Sequence, residues 1–196
     1  MGDIKSAAEI AREKIAQIGE ATEEERLKWK YVPDGEKLAA RYFKEDYNFT
    51  GDINNYEEKV RKYIVEGASD ILIRNIRLPK NDILRRDNQK AMEGLKAIKS
   101  DKVAIDNIYS KMRHVLDHYV KEGEEQKKQA YESLKAEIEA KIQQAIKQQT
   151  GANSQMKIDV ERQPQFQEEW KRLQVQLDAQ YLKLLDEYKQ ELATIA

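Results

Sequence analysis

The chain has 196 residues, 36% of them charged, with 8 glycines and 3 prolines, and its 35 basic side chains nearly balance 36 acidic ones at a net charge of −1. That size accommodates one substantial domain, or a small domain with an extension, and the balanced charge excludes a global field for nucleic acid or anionic lipid. With no cysteine, a disulfide framework, a thiolate zinc site and a cysteine nucleophile are excluded, and a reducing, cytoplasmic location is expected.

The first residues, MGDIKSAAEIAREKIAQIG, carry charges every few positions instead of the apolar core of a signal peptide. No segment approaches the roughly 20 apolar residues that a bilayer crossing needs, so no membrane partner is expected. MGDIKS fits the loose N-myristoylation pattern through Gly2 and Ser6, a pattern short enough to arise by chance. Ile4, Ala8, Ala11, Ile15 and Ile18 predict a first helix, with Asp3 able to cap it and Gly19 to end it.

Thr22 to Glu25 reads as a capping box opening a short helix with Leu27, Trp29 and Tyr31, stopped by a turn at Pro33-Asp34-Gly35. A third short helix is expected over about 36 to 45. Asp52 then caps a longer one carrying Ile53, Tyr56, Val60, Ile64, Ala68 and Ile71, ended by Pro79, and another runs from Asp82 to Lys99. Residues 1 to 100 thus predict a bundle of short helices. Glycines at 19, 35, 51 and 67 hint at a sixteen-residue repeat, but they share too few positions to define one.

The aromatic segment 28 to 49 mixes Trp29, Tyr31, Tyr42, Phe43, Tyr47 and Phe49 with cations, and its acids cancel much of that charge, which favours a core wedge over a stacking platform. A better anion or nucleic-acid candidate is the basic stretch 74 to 90, with Arg74, Arg77, Lys80, Arg85, Arg86 and Lys90 around a proline. The competing reading is a basic patch that meets acidic residues of the same chain.

Residues 101 to 196 predict a long antiparallel helical hairpin with a linker near 150 to 164. No proline falls between 101 and 151, and the one internal glycine, Gly123, permits a break without demanding one. The stretch KEGEEQKKQ, 121 to 129, offers no apolar residue to a core. Phe166, Leu177 and Tyr188 are eleven apart, as are Trp170, Tyr181 and Leu192, and Leu173, Leu184 and Ile195, a coiled-coil-like repeat that favours nearly straight packing. Tyr131, Leu134, Ile138 and Ile142 make the facing stripe, so that 165 to 195 should lie back along 149 to 119. Val175, Ala179 and Leu182 form a second apolar row, the expected interaction face for a homodimer or another protein.

The two histidines stand in HVLDH, 114 to 118. At 100° per residue Ile105, Ile108, Leu116 and Tyr119 fall within about 40° of Met112, which puts His114, Asp117 and His118 on the opposite, solvent side. Two imidazoles at i and i+4 can chelate a metal ion weakly. Val115 stands where a zincin needs glutamate, and Lys111 and Val115 stand where di-iron bundles need it. A polar helix face is therefore the first reading of HVLDH and a metal site at His114, Asp117 and His118 the second. No cofactor motif and no catalytic constellation is visible. The whole reads as an all-α, non-enzymatic scaffold or interaction protein.

Overall fold

The computed structural model describes Ser6, Glu9, Arg12 and residues 21–45, 47–150 and 159–195, and these are all-α, with no strand among them. Apart from Ser6, Glu9 and Arg12, the predicted first helix, with its Asp3 cap and Gly19 end, lies outside the described residues, as do the linker residues 151–158. The chain forms two compact units. One comprises the residues up to Ile76 with Arg86–Lys102 and Ile195, the other Arg77–Arg85 with Val103–Thr194.

In the first unit α1 spans Glu23–Lys44 and opens on the predicted capping box: Glu25 N–H donates to Thr22 Oγ1 at 3.2 Å, and Thr22 N–H donates to the Glu25 carboxylate at 2.8 Å. The turn expected at Pro33-Asp34-Gly35 does not form, and the separate helix over 36 to 45 is the second half of α1, which runs straight through Pro33. Packing overrides the local signal. After α2, Phe49–Asn54, comes α3, Glu58–Asn75, and α1 crosses α3 at two glycines. A Cβ on Gly35 would lie 2.0 Å from the Ile64 carbonyl oxygen, and one on Gly67 would lie 2.0 Å from that of Val32. Gly35 therefore serves a close helix approach, and the buried surface gathered there, with Ala39, Ile64 and Ala68 fully enclosed, outweighs a proline that costs an interior helix about 3 kcal/mol.

Asp52 is likewise not the cap of the long helix. The Asn48 side chain accepts from Gly51 N–H at 2.9 Å and starts the short α2, and α3 begins again after Asn55 to Glu57. The aromatics of 28 to 49 wedge these elements together: Tyr42 stacks on Phe49 at 4.7 Å, Tyr47 meets the Phe49 edge at 6.4 Å, and the Tyr47 hydroxyl donates to the Leu38 carbonyl at 2.7 Å. Helix α4, Asp82–Ile98, buries Ala91, Met92 and Leu95, and its last carbonyls are met by the Lys102 ammonium, a basic C-cap. Lys99 is buried beside the chain end and donates to the Ile195 carbonyl.

In the second unit α5, Lys102–His118, continues through one π-helical stretch, Tyr119–Gly123, into α6, Glu124–Thr150, so Gly123 widens the helix without breaking it. The predicted inner face is buried as expected at Ile105, Ile108, Met112, Leu116 and Tyr119. A single 3-10 turn, Val160–Arg162, precedes α7, Pro164–Thr194, which starts on proline at its first position. Leu134, Ile138, Val160 and Phe166 form the core between α6 and α7, with Tyr131 edge-on to Phe166 and Trp170.

The pairing is antiparallel: Tyr131 meets Phe166, Lys127 meets Asp178, His118 meets Tyr181 and Lys111 meets Glu191. The overlap is therefore displaced from the predicted one: the start of α7 meets Tyr131 instead of the region near 149, and its end passes residue 119 onto α5. Its buried column also departs from the eleven-residue series, because Leu185 is 0% exposed while Leu184 is 40% exposed. Asp178, Leu185 and Leu192, seven apart, are the buried positions of its second half. No helix among the described residues is long and apolar enough to cross a membrane.

Candidate functional site

Two features of the second unit stand out from simple packing, and both lie on α7. The first is a charged cluster under the π-helical stretch. Asp178, 4% exposed, receives Lys80 Nζ on one carboxylate oxygen at 2.7 Å and Lys127 Nζ on the other at 2.9 Å, and the Tyr119 hydroxyl donates to it at 3.1 Å. The Lys127 ammonium also donates to the Tyr119 oxygen and lies 3.4 Å from Glu124. KEGEEQKKQ, which offers no apolar residue, thus does have a core contact, a polar one through Lys127 and the buried Gly123, on which the Tyr119 and Tyr181 rings rest. Tyr119, on the inner face that α5 already presents, opens the π stretch and bonds to Asp178, and a π stretch is a local irregularity of the type found at functional sites.

The electrostatics keep this cluster ionised. Burial pushes the Asp178 carboxyl up, but the hydrogen bonds from Lys80 and Lys127 outweigh it and hold the group below its ordinary value. Burial works against charge on Lys127 too, and its bonds to Tyr119 and Asp178 raise it above the lysine range. Tyr119 is raised chiefly by burial and stays a neutral donor. None of the three changes charge near neutral pH, which suits a clasp between elements better than proton transfer. Beside it a cleft of about 430 Å³ is lined by Lys80, Lys127, Lys128, Tyr131, Trp170 and Asp178.

The second feature is the outer face of α7. Val175 is 64% exposed, Leu182 is 43% exposed and Ala179 lies open between them, while Asp178 and Leu185 of the same helix are buried. The expected interaction row therefore stands on the surface.

His114, Asp117 and His118 are exposed. His118 Nδ1 is 3.0 Å from the Tyr181 hydroxyl, and both histidines border a cleft of about 430 Å³ with Gln126, Gln180, Leu177 and Tyr181. Among the described residues no group of three or more histidine, cysteine, aspartate or glutamate side chains is placed to hold a metal ion. The basic residues of 74 to 90 divide between the units, with Arg74, Arg86 and Lys90 in the first and Arg77, Lys80 and Arg85 in the second. Three of them meet carboxylates of the chain itself: Arg74 lies 3.8 Å from Asp70, Arg85 lies 3.3 Å from Asp82, and Lys80 meets Asp178. Lys90 lies 5.0 Å from the centre of the Tyr42 ring and 3.4 Å from the Glu45 carbonyl oxygen.

Sequence reasoning missed the Lys80–Asp178–Lys127 cluster. Its trace was a carboxylate in column with Leu185 and Leu192, seven and fourteen residues before them, facing the one stretch of the hairpin without apolar residues.

A family model described as "Family of unknown function (DUF6657)" matches residues 50–194, from the first turn of α2 to the end of α7. Comparison with curated proteins and with solved structures finds no match.

Proposed function

We propose, from the premise that the chain belongs to the DUF6657 family, that it is a non-enzymatic helical scaffold, cytoplasmic, whose working surface is the outer face of α7. The observation that carries this reading is the exposed row Val175, Ala179 and Leu182 on a helix whose opposite side is already occupied. Isolated surface apolar residues need no explanation, but a row on one helix face marks a contact surface. The charged cluster supports it from within: a clasp of fixed ionisation under α7 holds that helix in place as a rigid platform. Much of the basic stretch 74 to 90 is engaged by the chain's own carboxylates, which weighs against a phosphate-binding role for it.

The test replaces Val175 with a photo-crosslinking amino acid in cells, with Glu132, exposed on α6, as the control position. Discrete protein adducts from position 175 and none from 132 are expected. Equal labelling at both positions, or none at 175, refutes the reading.

A further inference from the structure

The occupant of this surface can be named from its pattern, and the inference rests on the reading of α7 just given. Along the outer face the exposed positions run Glu168, Arg172, Val175, Ala179, Leu182 and Asp186, with the partly buried Lys189 at the edge of the row, at steps of four and three that keep them along one side of the helix. Taken from its other end, the column is its own complement. Glutamate answers lysine, arginine answers aspartate, valine answers leucine, and alanine answers itself.

We infer that the outer face of α7 receives the same face of a second copy, antiparallel about a two-fold axis at Ala179. That arrangement sets Val175 of each copy against Leu182 of the other, Arg172 against Asp186 and Glu168 against Lys189, an isologous contact in which every pairing occurs twice. A parallel arrangement in register would set Glu168 on Glu168 and Arg172 on Arg172, so repulsion selects the orientation along with attraction. Alanine at the centre lets the two helices approach closely where the axis passes. Within one chain Asp186 is already 3.7 Å from Lys189, a long pair in which Asp186 has 65% side-chain exposure and Lys189 20%, so the Asp186 end exchanges readily for Arg172 across the axis, while the partly covered Lys189 makes the weaker outer contact with Glu168. The column spans about 32 Å of helix at 1.5 Å per residue, a small interface, so the dimer dissociates on dilution and weakens with salt.

The test is light scattering of the purified full-length chain over a concentration series, with circular dichroism to check each variant's helicity. A mass rising from monomer to dimer is expected. R172D and D186R each weaken the dimer by about tenfold, since each turns two attractive pairs into repulsive ones, and R172D/D186R together restore it to within about threefold of the original. Because the chain has no cysteine, A179C gives an unambiguous second readout: mild oxidation links it into a disulfide dimer, and E187C, exposed away from the axis, serves as control. A monomer at every concentration, a dimer indifferent to the single reversals, a double reversal no better than the singles, or A179C linking no better than E187C overturns the pairing. If the purified chain is monomeric while position 175 crosslinks a protein of another mass in cells, the two-fold pairing fails and the interaction surface stands. If position 175 crosslinks nothing, both fail.

Discussion

Replacing Asp178 with asparagine removes a charge that two lysines share, and the surroundings set the cost. Lys80 is half exposed and swings into water at little expense, whereas Lys127 has only 12% side-chain exposure and keeps just the Tyr119 hydroxyl and Glu124 at 3.4 Å. Breaking a buried pair from one side typically costs 3–5 kcal/mol. With one lysine released and the other partly compensated, the expected loss is at the low end, about 3 kcal/mol, or roughly 6–12 °C in midpoint for a chain of this size. Trp170 fluorescence in a W29F background follows the unit concerned, because Trp170 packs on Tyr131 in that unit, and local unfolding is then not averaged over both units. The pH dependence gives a second reading. Asp178 titrates lower folded than its ordinary 3.8, so its contribution is complete above that value and lost as the pH falls through the folded one. Lys127 titrates higher folded than its ordinary 10.5, so its contribution is complete below 10.5 and lost as the pH rises through the folded value. The difference between wild type and D178N should therefore be flat from about pH 5 to 9 and shrink below about pH 4. A D178N penalty under about 0.5 kcal/mol, or one that titrates between pH 5 and 8, would show that the cluster does not clasp α7.

Three further outcomes follow from the packing. G35A should lower the unfolding midpoint of the first unit by the equivalent of about 3 kcal/mol, the upper part of the overpacking range, because its methyl group meets the Ile64 backbone oxygen at 2.0 Å; Trp29 fluorescence reads this, and a neutral result would mean that α1 and α3 do not cross at the glycines. P33A should raise the same midpoint, since Pro33 lies exposed inside α1 and alanine restores a helix hydrogen bond; a loss of stability would mean that the proline shapes the crossing. L185A should cost about 2–5 kcal/mol in urea denaturation and L184A under about 0.5, with the reverse order contradicting the placement of Leu185 in the core.

What was legible in the sequence depended on how far each signal reached along the chain. The capping box at Thr22 and Glu25 and the inner face from Ile105 to Tyr119 involve neighbours within a few residues, and both stand where the local rules put them. Pro33-Asp34-Gly35 uses the same local vocabulary but was overruled by Ile64 and Gly67, about thirty residues away and invisible to any turn rule. The register of α7 failed for a related reason. Leu184 and Leu185 are adjacent and chemically identical, so the apolar pattern alone could not choose between them, and Asp178 decided the matter. A carboxylate in the buried column is intelligible only once Lys80 and Lys127 are known to converge on it, and these come from separate segments.

The same polar anchor explains why the outer row exists at all. With Asp178 clasped between lysines, the rotation of α7 about its axis is fixed: Leu185 and Leu192 turn inward, and Val175, Ala179 and Leu182 are carried to the surface, although apolar side chains would otherwise favour burial. A buried ion cluster is a weak source of net stability but a strong selector among near-equivalent packings. Rotating α7 to cover Val175 and Leu182 would withdraw Asp178 from both lysines. Swapping the cluster for apolar residues, as in K127M/D178L, is therefore expected to retain much of the stability that D178N loses while releasing the rotation, so that Val175 and Leu182 compete for burial and crosslinking from position 175 falls. Unchanged crosslinking in that variant would assign the exposure of the row to the rest of the α6–α7 packing instead of to the clasp.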